Sequence, residues 1–261
     1  MILYSAPLVK KVERKILKAT ARLKTKPLLA VVLIGKNHVS LSYVRQKSRA
    51  GERMGCSFKL FLLPGNAAQA KVIATIEKLN RDKRITGIIV QLPAPKKFNA
   101  EKIVQAIAPE KDIDNLRGDS PFTAPAVQAI WQILSETKKP AKEAKILIVG
   151  YGRIIGRPLH AFLIKKGFSN ITIADKNTKN ISALTKKADI IVSGVGKTNL
   201  ITEVKKEVVV IDAGASRHNG KIAGDVALER VAKKAAVVTP VPGGVGPLTV
   251  TYLFKNLLLA K

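Results

Sequence analysis

The sequence predicts an α/β protein of two domains, each a mainly parallel sheet covered by helices. Three observations lead there. Short apolar runs rich in β-branched residues recur along the chain, each followed by a segment of helical character. The alternation restarts after a basic, polar stretch at 136–145 that contains Pro140 and reads as a domain connector. A glycine turn, Gly150-Tyr151-Gly152, then joins an apolar run directly to a helix.

In the first half, Leu28–Ile34 is continuously apolar and reads as a strand buried on both faces. A helix is expected over 39–54, ending at Gly55, and a second strand over 58–63, closed by Pro64-Gly65-Asn66. A helix over 67–80 leads to a third strand over 85–91, stopped by Pro93 and Pro95. A short helix over 99–107 has Asn99 as its cap. In the second half, strands are expected at 145–149, 170–174, 189–192, 207–211 and 236–239, with helices near 154–166 and 182–187. The last helix, 247–259, opens on a proline, which suits a first helical turn.

The 261 residues suffice for one large or two modest cores. Apolar residues make up 46 % and charged residues 25 %, which excludes a disordered chain. No apolar run approaches the roughly 18–20 residues that span a bilayer. The start lacks the layout of a secretory signal, and the single cysteine, Cys56, excludes an internal disulfide and fits a reducing cytoplasm. The formal charge of +28 would suit polyanionic partners. The lysines are dispersed, however, and the few aromatic residues do not interleave with them, so a solvated surface is expected rather than a nucleic-acid interface.

The segment 145–158 reads KILIVGYGRIIGRP. Glycines at 150, 152 and 156 permit a tight turn, close approach of a pyrophosphate and close packing of helix on strand, with helix amides facing the phosphates. The spacing, G-x-G-x-x-x-G, is one residue longer than the common fingerprint, and a ligand-free strand–helix turn would carry similar glycines. Asp175, at the end of the next strand, is placed to bind a ribose diol and to repel a 2′-phosphate, which favours NAD over NADP; Lys176 and Arg153 pull the other way. Tyr151 lies within the glycine turn, and further contacts are expected from Gly194-Val195-Gly196 and from 212–216, including Ala215, on the same sheet edge.

Tyr43 and Lys47 are spaced i, i+4 on the predicted 39–54 helix, with Ser40 on the same face. Such a pair does acid–base chemistry when the lysine is desolvated, although an ordinary amphipathic helix carries the same spacing. Gln91 places a neutral amide at the carboxyl edge of a strand, beside Leu92. Asp112 and Asp114 lie in a loop, where either serves equally as a turn residue. In the stretch TPVPGGVGPLT, 239–249, six of eleven residues are proline or glycine, which suggests a rigid loop close to a flat ligand or a rigid interdomain turn.

Together these residues resemble the bifunctional methylenetetrahydrofolate dehydrogenase/methenyltetrahydrofolate cyclohydrolase family. The resemblance covers most of the chain and rests on YVRQK (43–47), VQLPAP (90–95), PEKDID (109–114), VGYGRIIGRP (149–158), NGKIAGDV (219–226) and TPVPGGVGPLTV (239–250). It implies two α/β domains around a cleft, the second Rossmann-like, with the last helix returning to the first. The bounds expected are 1–122 with 247–261 for a folate-binding catalytic domain and 123–246 for a dinucleotide-binding domain. It also implies a cytoplasmic homodimer, with NADP or NAD as cofactor and tetrahydrofolate derivatives as substrates. Lys47 resembles the family's essential lysine, tuned by Gln91, with Tyr43 stacking near the pterin and Asp114 anchoring it. Ser40, Leu92, Pro242, Gly243 and Gly246 join the substrate set, and no metal is implied. The implied chemistry is hydride transfer from the folate's methylene bridge to the nicotinamide, then addition of water and ring opening to the 10-formyl compound. Dehydrogenase-only relatives and a nucleic-acid-binding protein on the same fold are the competing readings. Short-chain dehydrogenases also use Tyr-x-x-x-Lys, but their glycine loop precedes that pair, whereas here it follows.

The chain departs from the family pattern in places. Asn115 stands where DVDG has its last glycine, and Gly152 where the glycine loop has serine. Ala124 replaces a threonine, the loop before Ser40 reads Asn37-His38-Val39, and the segment after Asp114 is shortened. His160 and His218 match no catalytic position.

Overall fold

The computed structural model describes residues 1–137, 141–218 and 220–261. The middle of the predicted connector, 138–140 with Pro140, and Asn219 of the 219–226 motif lie outside the described residues. The chain runs α1 (Ala6–Thr20), β1 (Leu28–Ile34), α2 (His38–Arg53), β2 (Ser57–Leu63), α3 (Gln69–Arg81), β3 (Gly87–Val90), α4 (Ala100–Gln105) and α5 (Pro125–Glu136). It continues through β4 (Ile146–Val149), α6 (Gly156–Lys165), β5 (Ile171–Ala174), α7 (Ile181–Thr185), β6 (Ile190–Ser193) and β7 (Val209–Asp212). The antiparallel pair β8 (Ser216–His218) and β9 (Lys221–Ala223) follows, then α8 (Leu228–Ala232), β10 (Val237–Val238) and α9 (Val245–Leu259). Packing divides the chain into two units, Lys10–Pro125 with Val250–Lys261, and Ala126–Thr249 with Met1–Val9.

In the unit built on Lys10–Pro125, a three-stranded parallel sheet has the order β2-β1-β3. The run LLAVVLI explains why β1 is central. Leu29, Val31 and Leu33 point into a core with Val44, Met54, Phe254 and Leu257, while Ala30, Val32 and Ile34 point into a second core with Val72, Ile76 and Ile103. The carboxy-terminal half of α9 therefore belongs here, as the family resemblance implied, and Asn256 Nδ2 donates to the carbonyls of Ile113 (2.8 Å) and Thr123 (3.0 Å). Gly51 of α2 lets the Phe254 ring approach; a Cβ there would lie 2.9 Å from it. Strand β2 is one of the two outer strands, with Leu60 and Leu62 37 % and 42 % exposed.

The other unit carries a five-stranded parallel sheet of order β10-β7-β6-β4-β5. The chain moves outward from β4 to β5, then returns to the other side of β4 for β6. The carboxyl ends of β4 and β6 thus form the topological switch point, where such sheets bind ligands. The amino-terminal residues extend this sheet: Leu3 N–H donates to Val238 O (2.9 Å), Val238 N–H to Met1 O (3.0 Å), and Ile2 bridges Val238 in parallel. Met1–Val9 pack with this unit, although the expected bounds placed 1–122 in the other domain.

Candidate active site

Lys47 and its neighbours sit on the face of α2 that packs inward. Ser40, Val44, Lys47, Gly51 and Met54 recur at three- and four-residue spacing, so one helical face carries both core residues and site residues. Ser40 is buried, its N–H held by Asn37 Oδ1 at 3.2 Å in the first turn. Tyr43 is half-buried, one turn before Lys47. Lys47 Nζ donates to Gln91 Oε1 at 2.9 Å, and Gln91 Nε2 donates to Leu92 O at 2.8 Å, which fixes the amide with its oxygen toward the lysine. Gln91 directly follows β3, at the carboxyl edge of the sheet, and Leu92-Pro93 is a cis peptide.

Burial holds the Lys47 ammonium below the ordinary lysine range, and the nearby Asp114 carboxylate works against that shift. Burial likewise pushes Asp114 up, with Lys47 opposing. Lys47, Gln91 and Asp114 are thus one electrostatic group. The loop bearing Asp114 is held from several sides. Lys111 Nζ donates to the last carbonyls of α3, Leu79 (3.1 Å) and Asn80 (2.7 Å), and to Asp82 O (2.8 Å). Asp112 is a buried turn residue that accepts from Leu116 N–H (3.2 Å) and Arg117 N–H (2.8 Å), and burial pushes its carboxyl up to about 6. Arg117 returns to the carbonyls of Gln105 and Ile107. Asn115, at the missing glycine, has φ +51°, a left-handed conformation that asparagine tolerates better than most residues; its Oδ1 accepts from Ser120 N–H. The backbone shape that glycine would supply is therefore kept.

In the other unit, the glycine turn is tight and closely packed. Gly150 has φ +92°, and its N–H donates to Ala174 O at 2.7 Å. A Cβ at Gly156, where α6 begins, would collide with Gly150 O and lie 2.8 Å from Tyr151 Cα. Gly194 follows β6, and a Cβ there would lie 2.9 Å from Ile155. These are the close approaches that a pyrophosphate cradle at a helix start requires. Gly152 differs: nothing lies within 4 Å of its Cβ position, so the family's serine would fit and no steric need dictates glycine. Tyr151 is exposed, its hydroxyl 3.1 Å from His160 Nδ1 and its ring 5.8 Å from the Arg157 guanidinium, which gives His160 a supporting role. Arg153 lies half-buried between Gly152 and α6. Asp175 and Lys176 are exposed just past β5; Asp175 Oδ1 accepts from Asn177 N–H at 2.9 Å. Ala215 is exposed past β7, and its carbonyl would lie 3.3 Å from a Cβ at Gly196. Asp212, in contrast, turns inward and binds backbone N–H groups of 214, 225 and 226. Pro242 is exposed on the loop between β10 and α9, and Gly246 is exposed in the first turn of α9. Gly243, at φ +104°, has its carbonyl held by Ser5 N–H at 2.9 Å.

Sequence spacing did not single out Lys111, Asn80 or Asp225 as supports of these loops. Their partners lie up to about thirty residues away, and only PEKDID and GDV hinted at them. Among the described residues no group of three or more His, Cys, Asp or Glu is placed to hold a metal ion.

Residues 3–114 match the catalytic domain of tetrahydrofolate dehydrogenase/cyclohydrolase, and residues 124–261 match its NAD(P)-binding domain. The chain is 41 % identical over 245 residues to the bifunctional protein FolD of Methanosphaerula palustris, covering 90 % of this chain and 87 % of that one. The crystal structure of the bifunctional methylenetetrahydrofolate dehydrogenase/cyclohydrolase FolD from Campylobacter jejuni superposes with a TM-score of 0.95 at 32 % identity, covering 100 % and 98 % of the two chains. The Trypanosoma brucei methylenetetrahydrofolate dehydrogenase-cyclohydrolase, solved with NADP and an inhibitor, has a TM-score of 0.92 at 28 % identity, covering 100 % and 96 %. With both halves matched in order, the chain belongs to the tetrahydrofolate dehydrogenase/cyclohydrolase family.

Proposed function

We propose that this enzyme oxidises 5,10-methylenetetrahydrofolate with a nicotinamide dinucleotide and hydrolyses the methenyl product to 10-formyltetrahydrofolate. The observation that carries the reading is the hydrogen bond from Lys47 to Gln91 with Asp114 close by, inside the family's ordered motifs. When bound, the dinucleotide accepts the hydride that leaves the methylene carbon. The protein's residues do the rest. Asp114, Tyr43, Ser40 and Leu92, with Pro242, Gly243 and Gly246, hold and orient the folate. In the hydrolysis, water bonds to the methenyl carbon and Lys47, as the neutral amine, takes the proton that water loses. The resulting hydroxyl then loses its proton as the formyl C=O forms and the bond from that carbon to N5 breaks; of the two protons water brought, N5 takes one and the other is released to solvent. Gln91 keeps the lysine's hydrogen bond in place while its charge changes.

Gly150, Tyr151, Gly152, Arg153, Gly156, Asp175, Lys176, Gly194 and Ala215 form the dinucleotide set. The carboxylate of Asp175 at the end of β5 supports a preference for NAD over NADP. We assign folate binding chiefly to the unit of Lys10–Pro125 with Val250–Lys261, and the dinucleotide to residues within Ala126–Thr249. The exposed outer strand β2, with Leu60 and Leu62, supports a homodimer. No helix of the described residues is long and apolar enough to cross a membrane, and we place the enzyme in the cytoplasm with its charge as solvated surface. The test is an assay with methylenetetrahydrofolate and each cofactor, followed through to the formyl product. Oxidation without formyl product would favour the dehydrogenase-only reading, and a strong NADP preference would sink the role given to Asp175. Salt-sensitive retention on nucleic acid at near-physiological ionic strength would overturn the reading of the charge.

A further inference from the structure

The loop after β6 belongs to the proposed dinucleotide set, yet its backbone donors are already engaged. Asp225 Oδ1 accepts the N–H groups of Gly196 (2.8 Å) and Lys197 (2.7 Å), and Oδ2 accepts Val195 N–H (2.8 Å) and the Ser193 hydroxyl (2.6 Å). Successive N–H groups around a left-handed residue, here Gly196 at φ +81°, form a nest of the kind that cradles phosphates and other anions. In this chain the anion is a buried side chain of its own. A second carboxylate holds the first in turn. Asp212 accepts the N–H groups of Gly214 (3.0 Å), Asp225 (3.1 Å) and Val226 (2.9 Å). The glycines beside these carboxylates are sterically required: a Cβ at Gly214 would overlap the Asp225 carboxylate, and one at Gly224 would overlap that of Asp212. The loops past β6 and β7 are thereby locked to the 224–226 turn, and Gly196 rests against Ala215 O.

We infer that Asp225 is a positioning residue for the dinucleotide. Its carboxylate fills the 195–197 nest, fixes the loop surface against which the cofactor lies, and withholds those N–H groups from the cofactor's phosphates. The inference rests on the cofactor reading above. Asp225→Asn keeps the shape but puts an NH2 where an oxygen was. Turned toward 196 and 197, that NH2 faces two N–H donors; turned the other way, it faces Val195 N–H and a hydroxyl able to accept. Neither orientation restores four bonds.

The test is fluorescence titration of the reduced dinucleotide into parent, Asp225→Asn and Ser193→Ala, with both activities measured on each. The dissociation constant is expected to rise about tenfold or more in Asp225→Asn and about threefold in Ser193→Ala. In dehydrogenase kinetics the change should appear in KM for the dinucleotide rather than in kcat at saturation. The cyclohydrolase reaction consumes no dinucleotide, so its rate should stay near that of the parent. A merely structural role would lower both activities in parallel, and that result overturns the inference. Parental affinity in both variants overturns it as well, with the cofactor reading intact, whereas a parent that binds no dinucleotide overturns the cofactor reading itself. If Asp225→Asn fails to fold, Ser193→Ala, which removes one donor and leaves the carboxylate, decides between these outcomes.

Discussion

Gly156→Ala and Gly152→Ser separate the glycine that packing requires from the one that it does not. An alanine Cβ at 156 would lie 2.8 Å from Tyr151 Cα and 3.0 Å from Gly150 C, and closer still to Gly150 O, where ordinary contacts begin at 3.4 Å. All three obstacles are backbone atoms, so no rotamer change relieves them. Helix α6 cannot simply withdraw, because Leu159 and Leu163 anchor it fully buried; nor can the turn, because Gly150 is tied to Ala174 O. Overpacking of this kind costs about 1–3 kcal/mol, and lower backbone entropy in the unfolded chain returns about 0.4–1 kcal/mol. A net loss of about 1–2 kcal/mol is expected, with weaker dinucleotide binding because the turn must shift. Gly152→Ser meets open space and should change stability by less than about 0.5 kcal/mol. Urea denaturation followed by circular dichroism measures both, and a dinucleotide titration reads the site. Parental stability and binding in Gly156→Ala, or equal damage from Gly152→Ser, would refute the steric argument.

Lys47→Met should lower methenyl hydrolysis by about 10²–10⁴-fold, the range of a lost general base; a variant that hydrolyses at the parental rate removes Lys47 from proton transfer. In the parent, hydrolysis should rise with pH along a limb whose midpoint lies below the ordinary lysine value of 10.5, since burial favours the neutral amine. Asp112 has its pKa raised from 3.8 to about 6, so its folded form binds a proton before its unfolded form does. Its burial therefore costs stability above about pH 6, and that cost fades as the pH falls toward 4, by about 1.4 kcal/mol per pH unit. Asp112→Asn should remove this share, seen as a changed slope of unfolding free energy between pH 6 and 4; an unchanged slope counts against the assignment. Asn115→Ala should lose about 1–2 kcal/mol from its left-handed backbone, and Asn115→Gly should lose much less, as thermal unfolding of the two variants would show.

The strands were legible because a run such as LLAVVLI has few other uses, and the glycine turn because strand, turn and acidic residue fall in a fixed order. Helices α1 and α5 lie where no element is predicted. In α1 the pairs Lys10-Lys11 and Arg14-Lys15 crowd the apolar positions, and although Pro7 stands in its first turn, no glycine marks its end. In α5 the apolar residues run together at 129–131 and 133–134, so the polar face of Gln128, Gln132 and Ser135 is narrow, and Trp131 meets Phe162 and Phe168, which are distant in sequence. The site was half legible. Period 3.6 put Ser40, Tyr43 and Lys47 on one face, but not whether that face turned inward; the packing of Val44 and Met54 decides it. Asp112 looked like an ordinary turn residue and Asp225 stood out only as part of NGKIAGDV, because their worth lies in backbone donors that a one-dimensional pattern does not display.

The internal anion in the 195–197 nest also separates surface position from solvent exchange. Val195, Gly196 and Lys197 are exposed residues whose amide hydrogens end on a buried carboxylate. Deuterium should therefore enter these amides only when the 224–226 turn lets go, so that 195–197 and 225–226 exchange together as one cooperative opening unit. A loop that looks free by exposure would then count, on the timescale of exchange, as part of the sheet it borders.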